Sequence, residues 1–232
     1  MPATKQEEAK ALVAQAALAH LPLAGTVGLG SGSTAKLFIQ GVGELVAKGR
    51  QLVGVPTSEA SRKQAEALGI PLLDDDGPWT IDVCVDGADE VSCTLDLIKG
   101  GGGCHTREKI VNQSSAKNII VVDESKLSKQ LGERWAVPVE VLPFGRETTA
   151  RRLRQLQKGA KVTLRQKAGL PFVTDAGNFI YDLTLGPLSD PHDWQTRLLQ
   201  LPGVVETGLF LQSADLVLVA GRAGVRTLTT AD

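Results

Sequence analysis

A short window of the chain, residues 81–109, holds carboxylates, an isolated lysine and a glycine run whose types and spacing suit proton transfer. It reads V-D-G-A-D-E at 85–90, I-K-G-G-G-G at 98–103 and T-R-E-K at 106–109. Reversible proton transfer on a small anion needs carboxylates to move protons, a cation for developing negative charge, and bare backbone N–H groups near an oxyanion. The window therefore indicates a catalytic site for such a reaction.

Each member of the window also has a purely structural explanation. Asp89 could be a turn residue and Lys99 an ordinary surface lysine. Glu108 could simply interact favourably with the helix dipole in the first turn of a helix. Asp86 is harder to explain in this way because it directly ends an apolar stretch. Glycines 100–103 cost chain entropy on folding, so close approach of their backbone to another group is the better explanation.

A second candidate lies in G-L-G-S-G-S-T-A at 28–35. The spacing satisfies the dinucleotide pattern G-x-G-x-x-G/A, but the acid expected after the next strand is replaced by V-P-T-S, and no G-K-[ST] follows. What remains suits one phosphate, held by helix N–H groups and the hydroxyls of Ser31, Ser33 and Thr34. A tight turn with a Ser or Thr N-cap explains the loop equally well.

Composition narrows the class of protein. The 232 residues are 42% hydrophobic and 22% charged, with a formal net charge of −1, so we expect a soluble globular protein that does not bind nucleic acid. No apolar run approaches the roughly 18 residues of a membrane span, and the first residues lack a signal-peptide pattern. We therefore expect no membrane association and a cytoplasmic location.

The cysteines and histidines indicate neither a metal site nor disulfides. Three cysteines occur without a C-x-x-C pair, and three histidines are scattered. Cys84 lies in an apolar stretch and should pack as a small hydrophobe. Cys104 beside His105 could form a nucleophile and base, but adjacent loop residues seldom face each other.

Hydrophobic periodicity predicts a Rossmann-like parallel sheet with helices on both faces. A first helix over residues 1–20 should bury Ala9, Leu12, Val13, Ala16 and Ala17. Strands are then predicted at 26–29, 51–55, 70–73, 81–85, 118–122 and 215–220, and helices at 34–47, 59–68 (capped by Ser58) and 107–114. Ligands of such sheets bind beyond the carboxyl ends of the strands, where the candidate residues fall.

The second half changes rhythm. Strands are predicted at 136–141, 160–165, 178–183 and 204–209, with helices at 147–157 and 191–200. This β-α-β-β-α-β order matches a small α+β ferredoxin-like unit. We therefore expect a catalytic domain of residues 1–130 and 207–232, with residues 131–206 as a ferredoxin-like insert.

These motifs resemble the type A family of ribose-5-phosphate isomerases. Beyond the segments above, the resemblance includes V-D-E-S-K at 122–126, V-P-V-E-V at 137–141, V-T-D-A-G-N at 173–178 and P-G-V-V-E-T-G-L-F at 202–210. It thus spans nearly the whole chain in order. It implies interconversion of D-ribose 5-phosphate and D-ribulose 5-phosphate, a dimer or tetramer, and chemistry that needs no metal or organic cofactor because only a proton moves.

The resemblance also implies residue roles. Glu108 would carry the proton between carbon 2 and carbon 1 through an enediolate, and Asp86 would open the sugar ring and shuttle the hydroxyl proton. Lys99 and the amides of Gly100, Gly101 and Gly102 would stabilise the enediolate oxygen. The remaining substrate contacts would come from the sugar-binding Gly87, Ala88 and Asp89 and from the phosphate-binding Ser31, Gly32, Ser33, Thr34 and Lys126.

The chain departs from the family pattern chiefly at Cys104 and His105, and we expect His105 to face outward. Three alternatives share some of the features. An isomerase-deaminase of amino-sugar phosphates would share the loop and acids. A sugar-phosphate sensor could dispense with Glu108 and Lys99, and a nucleotide-binding module would need the missing acid. All rank behind the isomerase.

Overall fold

The computed structural model describes residues 5–229, which form a mixed α/β protein. Its helices are α1 (Lys5–Leu18), α2 (Ser33–Ala47), α3 (Glu59–Ala67), α4 (His105–Gln113), α5 (Arg146–Gln155), α6 (Pro191–Leu199) and a 3₁₀ turn at Glu124–Lys126. Its strands are β1 (Ala24–Leu29), β2 (Gln51–Pro56), β3 (Val83–Asp86), β4 (Glu90–Val91), β5 (Leu97–Ile98), β6 (Asn118–Asp123), β7 (Val137–Val141), β8 (Lys161–Leu164), β9 (Gln166–Lys167), β10 (Leu170–Pro171), β11 (Phe179–Thr184), β12 (Val204–Thr207), β13 (Leu209–Phe210), β14 (Leu216–Gly221) and β15 (Gly224–Leu228). The part of the predicted first helix at residues 1–4 lies outside the described residues.

The chain divides into two compact units. The first comprises Met1–Ala88, Arg107–Lys126 and Ser213–Asp232, and the second comprises Asp89–Thr106 and Leu127–Gln212. The domain boundaries expected from the sequence, a catalytic domain of residues 1–130 and 207–232 with an insert at 131–206, stay a prediction.

The first unit is built on a six-stranded sheet of order β15-β14-β6-β3-β1-β2. Its strands are parallel except for β15, which pairs antiparallel with β14 at one edge. Counting only the parallel strands along the chain, the order is 2-1-3-4-5, which reverses between β1 and β3. That reversal is the switch point at which open parallel sheets bind ligands. The predicted Rossmann-like class is confirmed.

Helices cover both faces of this sheet because alternate strand residues point to opposite sides. One face packs on α1 and α2, with Val13 and Phe38 fully buried among strand residues such as Val85. On the other face, Val111 of α4 packs with Cys84, which is buried as a small hydrophobe as predicted. These two clusters, one on each face of the sheet, hold β1, β3 and α4, which carry candidate site residues, in place.

The second unit has the predicted ferredoxin-like β-α-β-β-α-β order. Its four-stranded sheet is ordered β12-β7-β11-β8 and is antiparallel throughout. Helices α5 and α6 contribute Leu153 and Leu198 to its core, where Val139 and Tyr181 are also buried. The short β9–β10 hairpin lies between β8 and β11 in the chain and was not predicted.

Several predicted elements are corrected. Residues 70–73 do not form a strand, because Pro71 has no N–H and only an isolated bridge joins Leu72 to Gly54. Leu12 is 51% exposed, and the buried stripe of α1 runs instead through Val13, Ala14 and Ala17. The predicted strand 204–209 breaks at Gly208, after which β13 joins β5 and β4 in a small sheet that was not predicted.

Candidate active site

The loop after β1 and the end of β3 meet at the switch point of the first sheet. The Gly30 N–H donates to the Val85 carbonyl at 3.0 Å. A Cβ on Gly30 would stand 2.3 Å from Asp86 Oδ1 and 2.6 Å from its Cα, so no larger residue fits unless the neighbours move. Glycine is therefore required here by close approach to Asp86.

Asp86 is buried, with 3% of its surface exposed, and its carboxylate is held by backbone donors. Its Oδ1 atom accepts hydrogen bonds from the N–H of Ser31 at 2.9 Å and from the N–H of Gly87 at 2.7 Å. These bonds fix the orientation of the carboxylate relative to the glycine loop. Two site residues that lie 55 positions apart in the sequence are thus brought together.

Ser31 directs its hydroxyl into the protein. Its Oγ lies 2.8 Å from Thr57 Oγ1, 2.7 Å from Ser58 Oγ and 3.2 Å from Ser61 Oγ. Thr57 and Ser58 lie after a strand as predicted, whereas a role for Ser61 was not predicted. The spacing of three residues from the N-cap Ser58 was the available signal.

Helix α2 begins directly after this loop and presents an open N-terminus. Its N-cap is Gly32, which has φ 96°, and no side chain caps the helix. The alternative explanation by a Ser or Thr N-cap is therefore wrong. Gly32 and Ser33 are exposed and Thr34 is half-buried, so solvent reaches the first turn. Uncapped N–H groups beside two hydroxyls favour an anion such as phosphate.

Glu108 lies in the first turn of α4 and is buried, with 5% of its surface exposed. The preceding residue, Arg107, donates from Nη1 to Glu59 Oε1 of α3 at 2.8 Å. That hydrogen bond holds the pKa of Glu59 below its ordinary value. The ion pair ties the start of α4 to the start of α3.

Lys126 closes the 3₁₀ turn that follows β6, which places it after the carboxyl end of a sheet strand, as predicted. Asp123 at the end of β6 accepts hydrogen bonds from both the N–H and the hydroxyl of Ser125. Burial acts to raise the pKa of Asp123, but these two bonds, a side-chain hydrogen bond from Gln6 and the charge of Lys126 together hold the pKa below its ordinary value.

In the second unit, Lys99 follows β5 and is 3% exposed, so it is not a surface lysine. Its Nζ atom lies 5.4 Å from the centroid of the Phe210 ring. Asp89 accepts a hydrogen bond at 2.6 Å from the N–H of Gly101. That amide, which the family resemblance assigns to an oxyanion, is thus bonded to Asp89 in this structure.

The glycine run approaches side chains of the protein itself. A Cβ on Gly100 would meet the His105 ring at 2.7 Å, and one on Gly103 would meet the Phe172 ring at 2.3 Å. Gly102 has nothing within 4 Å of such a Cβ. Tight packing explains three of the four glycines, with Asp89 beside Gly101, and leaves Gly102 bordering open space.

His105 does not face outward, contrary to the prediction. It is fully buried, and its Nε2 atom lies 3.4 Å from the Glu206 carbonyl oxygen. The ring fills the space beside Gly100, which explains why it is enclosed. Cys104 is partly exposed, with its Sγ 3.7 Å from the Gly102 carbonyl oxygen.

The first unit therefore holds Ser31, Gly32, Ser33, Thr34, Asp86, Gly87, Ala88, Glu108 and Lys126, and the second holds Asp89, Lys99, Gly100, Gly101 and Gly102. Among residues 5–229, no group of three or more His, Cys, Asp or Glu side chains could hold a metal ion. None of the helices in that part of the chain is long and apolar enough to cross a membrane.

Comparison with known proteins identifies the family. The family model of ribose 5-phosphate isomerase A (phosphoriboisomerase A) matches residues 53–224. Ribose-5-phosphate isomerase A of Desulfatibacillum aliphaticivorans is 46% identical, covering 98% of this chain and 100% of the relative. A probable ribose-5-phosphate isomerase 2 of Arabidopsis thaliana is 43% identical, covering 95% and 86%.

Solved structures agree. Ribose 5-phosphate isomerase A from Methanocaldococcus jannaschii superposes with a TM-score of 0.91 at 38% identity, covering 97% of this chain and 100% of that one. A D-ribose-5-phosphate isomerase in complex with phospho-erythronic acid gives 0.92 at 39% identity, with the same coverage. The open loop at residues 30–34, the buried Asp86 beside it and the full-length matches lead to one conclusion: this chain belongs to the ribose-5-phosphate isomerase A family.

Proposed function

We propose that this protein interconverts D-ribose 5-phosphate and D-ribulose 5-phosphate through an enediolate, with Glu108 as the base between carbon 1 and carbon 2. Asp86 opens the sugar ring and shuttles the hydroxyl proton. Lys99 and the amides of Gly100 and Gly102 stabilise the enediolate oxygen, while the Gly101 amide holds the Asp89 carboxylate. The reaction needs no external oxidant or reductant, because the proton removed from one carbon is returned to the neighbouring carbon.

One observation carries the proposal: Asp86 is joined to the loop at residues 30–34, named the phosphate loop from here on, by the Ser31 N–H bond of 2.9 Å at the switch point. A sugar phosphate bound at the uncapped start of α2 is held by its phosphate next to a buried carboxylate. In the first turn, Ser33 and Thr34 supply the phosphate contacts, with Lys126 as the cation. Binding the substrate by its phosphate orients the reacting carbons and removes the entropy cost of that positioning from the chemical step.

Burial of Glu108 supports its role as base. A glutamate in water has a pKa of about 4.3, too low for efficient proton abstraction near neutrality. Removal from water favours the neutral form of a carboxyl group, whereas a nearby lysine favours the ionised form. Glu108 is 5% exposed, so its carboxyl group is largely removed from bulk water.

The solved relative that contains phospho-erythronic acid suggests a ligand for this chain. Such a molecule carries a phosphate at one end and a carboxylate at the other, so it places negative charge where an enediolate would develop it. We propose that it binds this protein in competition with ribose 5-phosphate.

The experiment follows conversion of ribose 5-phosphate to ribulose 5-phosphate by purified protein in EDTA, with Glu108→Gln beside it. We expect activity in the wild type and a loss of about 10³-fold or more in kcat for the variant, with phosphate binding retained. Glu66→Gln, an exposed change on α3, is the matched control and should keep full activity. An inactive wild type would contradict the function, and a fully active Glu108→Gln would remove Glu108 as the base.

We further propose that the protein acts in the cytoplasm, as its sequence pattern indicates, and that it forms a homodimer or tetramer, as the family resemblance implies. Light scattering coupled to size-exclusion chromatography measures the mass directly. A particle of one 24.5 kDa chain at working concentration would contradict the oligomer.

A further inference from the structure

A buried chain of hydroxyl groups links the phosphate loop to the start of α3. The Ser31 hydroxyl donates to Ser58 Oγ at 2.7 Å, and Ser58 Oγ lies 3.0 Å from Ser61 Oγ. Ser61 in turn donates to the Gly30 carbonyl oxygen at 2.6 Å. This series of hydrogen-bonded hydroxyls begins at the Ser31 side chain and ends at the Gly30 carbonyl, so it encloses the peptide bond between the two residues.

The number of hydroxyl protons determines which hydroxyl donates at each contact in this series. Each hydroxyl has one proton to donate and accepts through its lone pairs. Because Ser61 gives its proton to Gly30 and Ser31 gives its proton to Ser58, the contact between Ser58 and Ser61 must use the Ser58 proton. Ser58 also accepts from the Ser61 N–H at 3.1 Å, so its hydrogen-bonding capacity is filled.

These groups are removed from water. Ser58 is 2% exposed and Ser61 is 4% exposed, in contrast to the exposed Gly32 and Ser33 of the same loop. Buried hydrogen bonds are stronger and more costly to leave unmade than exposed ones. The series of hydroxyls therefore holds the inner side of the phosphate loop, while the outer side of the loop faces solvent.

We propose that Ser61 is a positioning residue for substrate phosphate, which it never contacts: its hydroxyl holds the Gly30 carbonyl and, through Ser58, the Ser31 side chain, and so sets where the first turn of α2 presents its donors. This inference rests on the proposed function, since it concerns the phosphate loop of that site. Phosphate is bound in the ground state and in the transition state alike, so a displaced loop weakens both.

The test is Ser61→Ala, assayed for KM, kcat and inhibition by inorganic phosphate. We expect KM for ribose 5-phosphate and the inhibition constant of phosphate both to rise about five- to tenfold, with kcat within about twofold of wild type. Thr196→Ala is the matched control. It also deletes a hydroxyl that donates to a backbone carbonyl, that of His192, on the exposed face of α6. It should leave all three values unchanged.

A second variant guards against loss of folding. Ser61→Cys keeps the shape of the side chain but donates weakly, so its KM should lie between those of wild type and Ser61→Ala. A fall in melting temperature with KM and phosphate inhibition unchanged in both variants would overturn the proposal, because it would show a role in stability alone.

The failure of this inference is separable from failure of the proposed function. Phosphate binding is also measured without catalysis, as the rise in melting temperature that inorganic phosphate causes. If wild type is inactive but is stabilised by phosphate, and Ser61→Ala is stabilised less, the positioning role stands and the isomerase proposal fails. If wild type is active and Ser61→Ala binds phosphate as well as wild type, the reverse holds.

Discussion

Asp86 accepts the N–H of Ser31 at 2.9 Å, so the buried carboxylate at the end of β3 is also a structural support of the phosphate loop after β1. The same oxygen, Oδ1, accepts the N–H of Gly87 at 2.7 Å. The proposed ring-opening group, Asp86, is thereby bonded directly to the proposed phosphate site. Substitutions at Asp86 and at its neighbour Gly30 should separate these two roles.

Asp86→Asn retains an oxygen that can accept both backbone N–H groups but removes the ionisable carboxyl. We expect kcat to fall by about 10²-fold or more, with KM changed by less than about threefold, because the loop keeps its support while proton transfer is lost. Steady-state kinetics with ribose 5-phosphate measures both parameters. A large rise in KM with kcat preserved would show that Asp86 serves the loop alone.

Gly30→Ala should have the complementary effect. Its new Cβ would stand 2.3 Å from Asp86 Oδ1 and 2.6 Å from Asp86 Cα, so the loop or the carboxylate must shift. We expect KM and kcat to worsen together, each by about tenfold or more. Gly49→Ala is the control, because its added Cβ meets nothing within 4 Å. It shows whether replacing a glycine is enough by itself to change KM and kcat. Its φ of 95° should cost stability but leave the kinetic constants unchanged.

The glycine run at 100–103 should tolerate alanine unequally. Gly103 has φ 83° and a Cβ there would meet the Phe172 ring at 2.3 Å, whereas Gly102 borders open space. We expect Gly103→Ala to lower the free energy of unfolding by about 1–3 kcal/mol and Gly102→Ala by less than about 1 kcal/mol. Urea denaturation of both variants provides the comparison, and equal losses would contradict the packing explanation.

Glu140 of β7 is a buried carboxylate, 1% exposed, that accepts hydrogen bonds from three side chains. The hydroxyl of Thr106 donates to one oxygen, and Thr174 and Asn178 donate to the other at 2.8 and 2.9 Å. Glu140→Leu leaves these donors without an acceptor and should cost about 2–4 kcal/mol in the free energy of unfolding. Glu140→Gln keeps one oxygen and should cost about half as much, as measured by urea denaturation.

Tyr181 should make the protein sensitive to alkali. Burial, together with the hydrogen bond to Glu147 and the charge of that residue, raises the pKa of Tyr181 to about 12, while an unfolded tyrosine titrates near 10. Between these values the unfolded chain has lost the proton and the folded chain has kept it. This contribution to stability is therefore complete below about pH 10 and is lost as pH rises through about 12.

Tyr181→Phe isolates that effect. The variant loses the hydrogen bond of 2.9 Å from the phenol to Glu147 and should be less stable than wild type at pH 8. Between pH 9 and pH 11.5 its free energy of unfolding should fall less steeply than that of wild type, by at most about 2–3 kcal/mol over the interval. Parallel slopes for the two proteins would contradict the raised pKa.

Local sequence determined much of this protein. Alternating apolar strands and helices indicated the parallel sheet, Ser58 was recognisable as the N-cap of α3, and the ferredoxin-like order of the second unit followed from element spacing. These features depend on neighbouring residues and on hydrophobic periodicity, which a sequence displays directly. The motifs around Asp86 and Glu108 likewise carried the family resemblance.

Tertiary structure alone decided how distant residues meet. Ser31 turns its hydroxyl towards Ser61, 30 positions away, and His105 is buried beside a carbonyl 101 positions away. The two-residue strands β4 and β5 pair with each other and β5 pairs with the distant β13, and such short segments have no periodicity of their own. Long-range hydrogen bonds and close backbone approach at glycine arise only when the chain is packed, so residue types predicted the chemistry and the packed structure decided which groups support it.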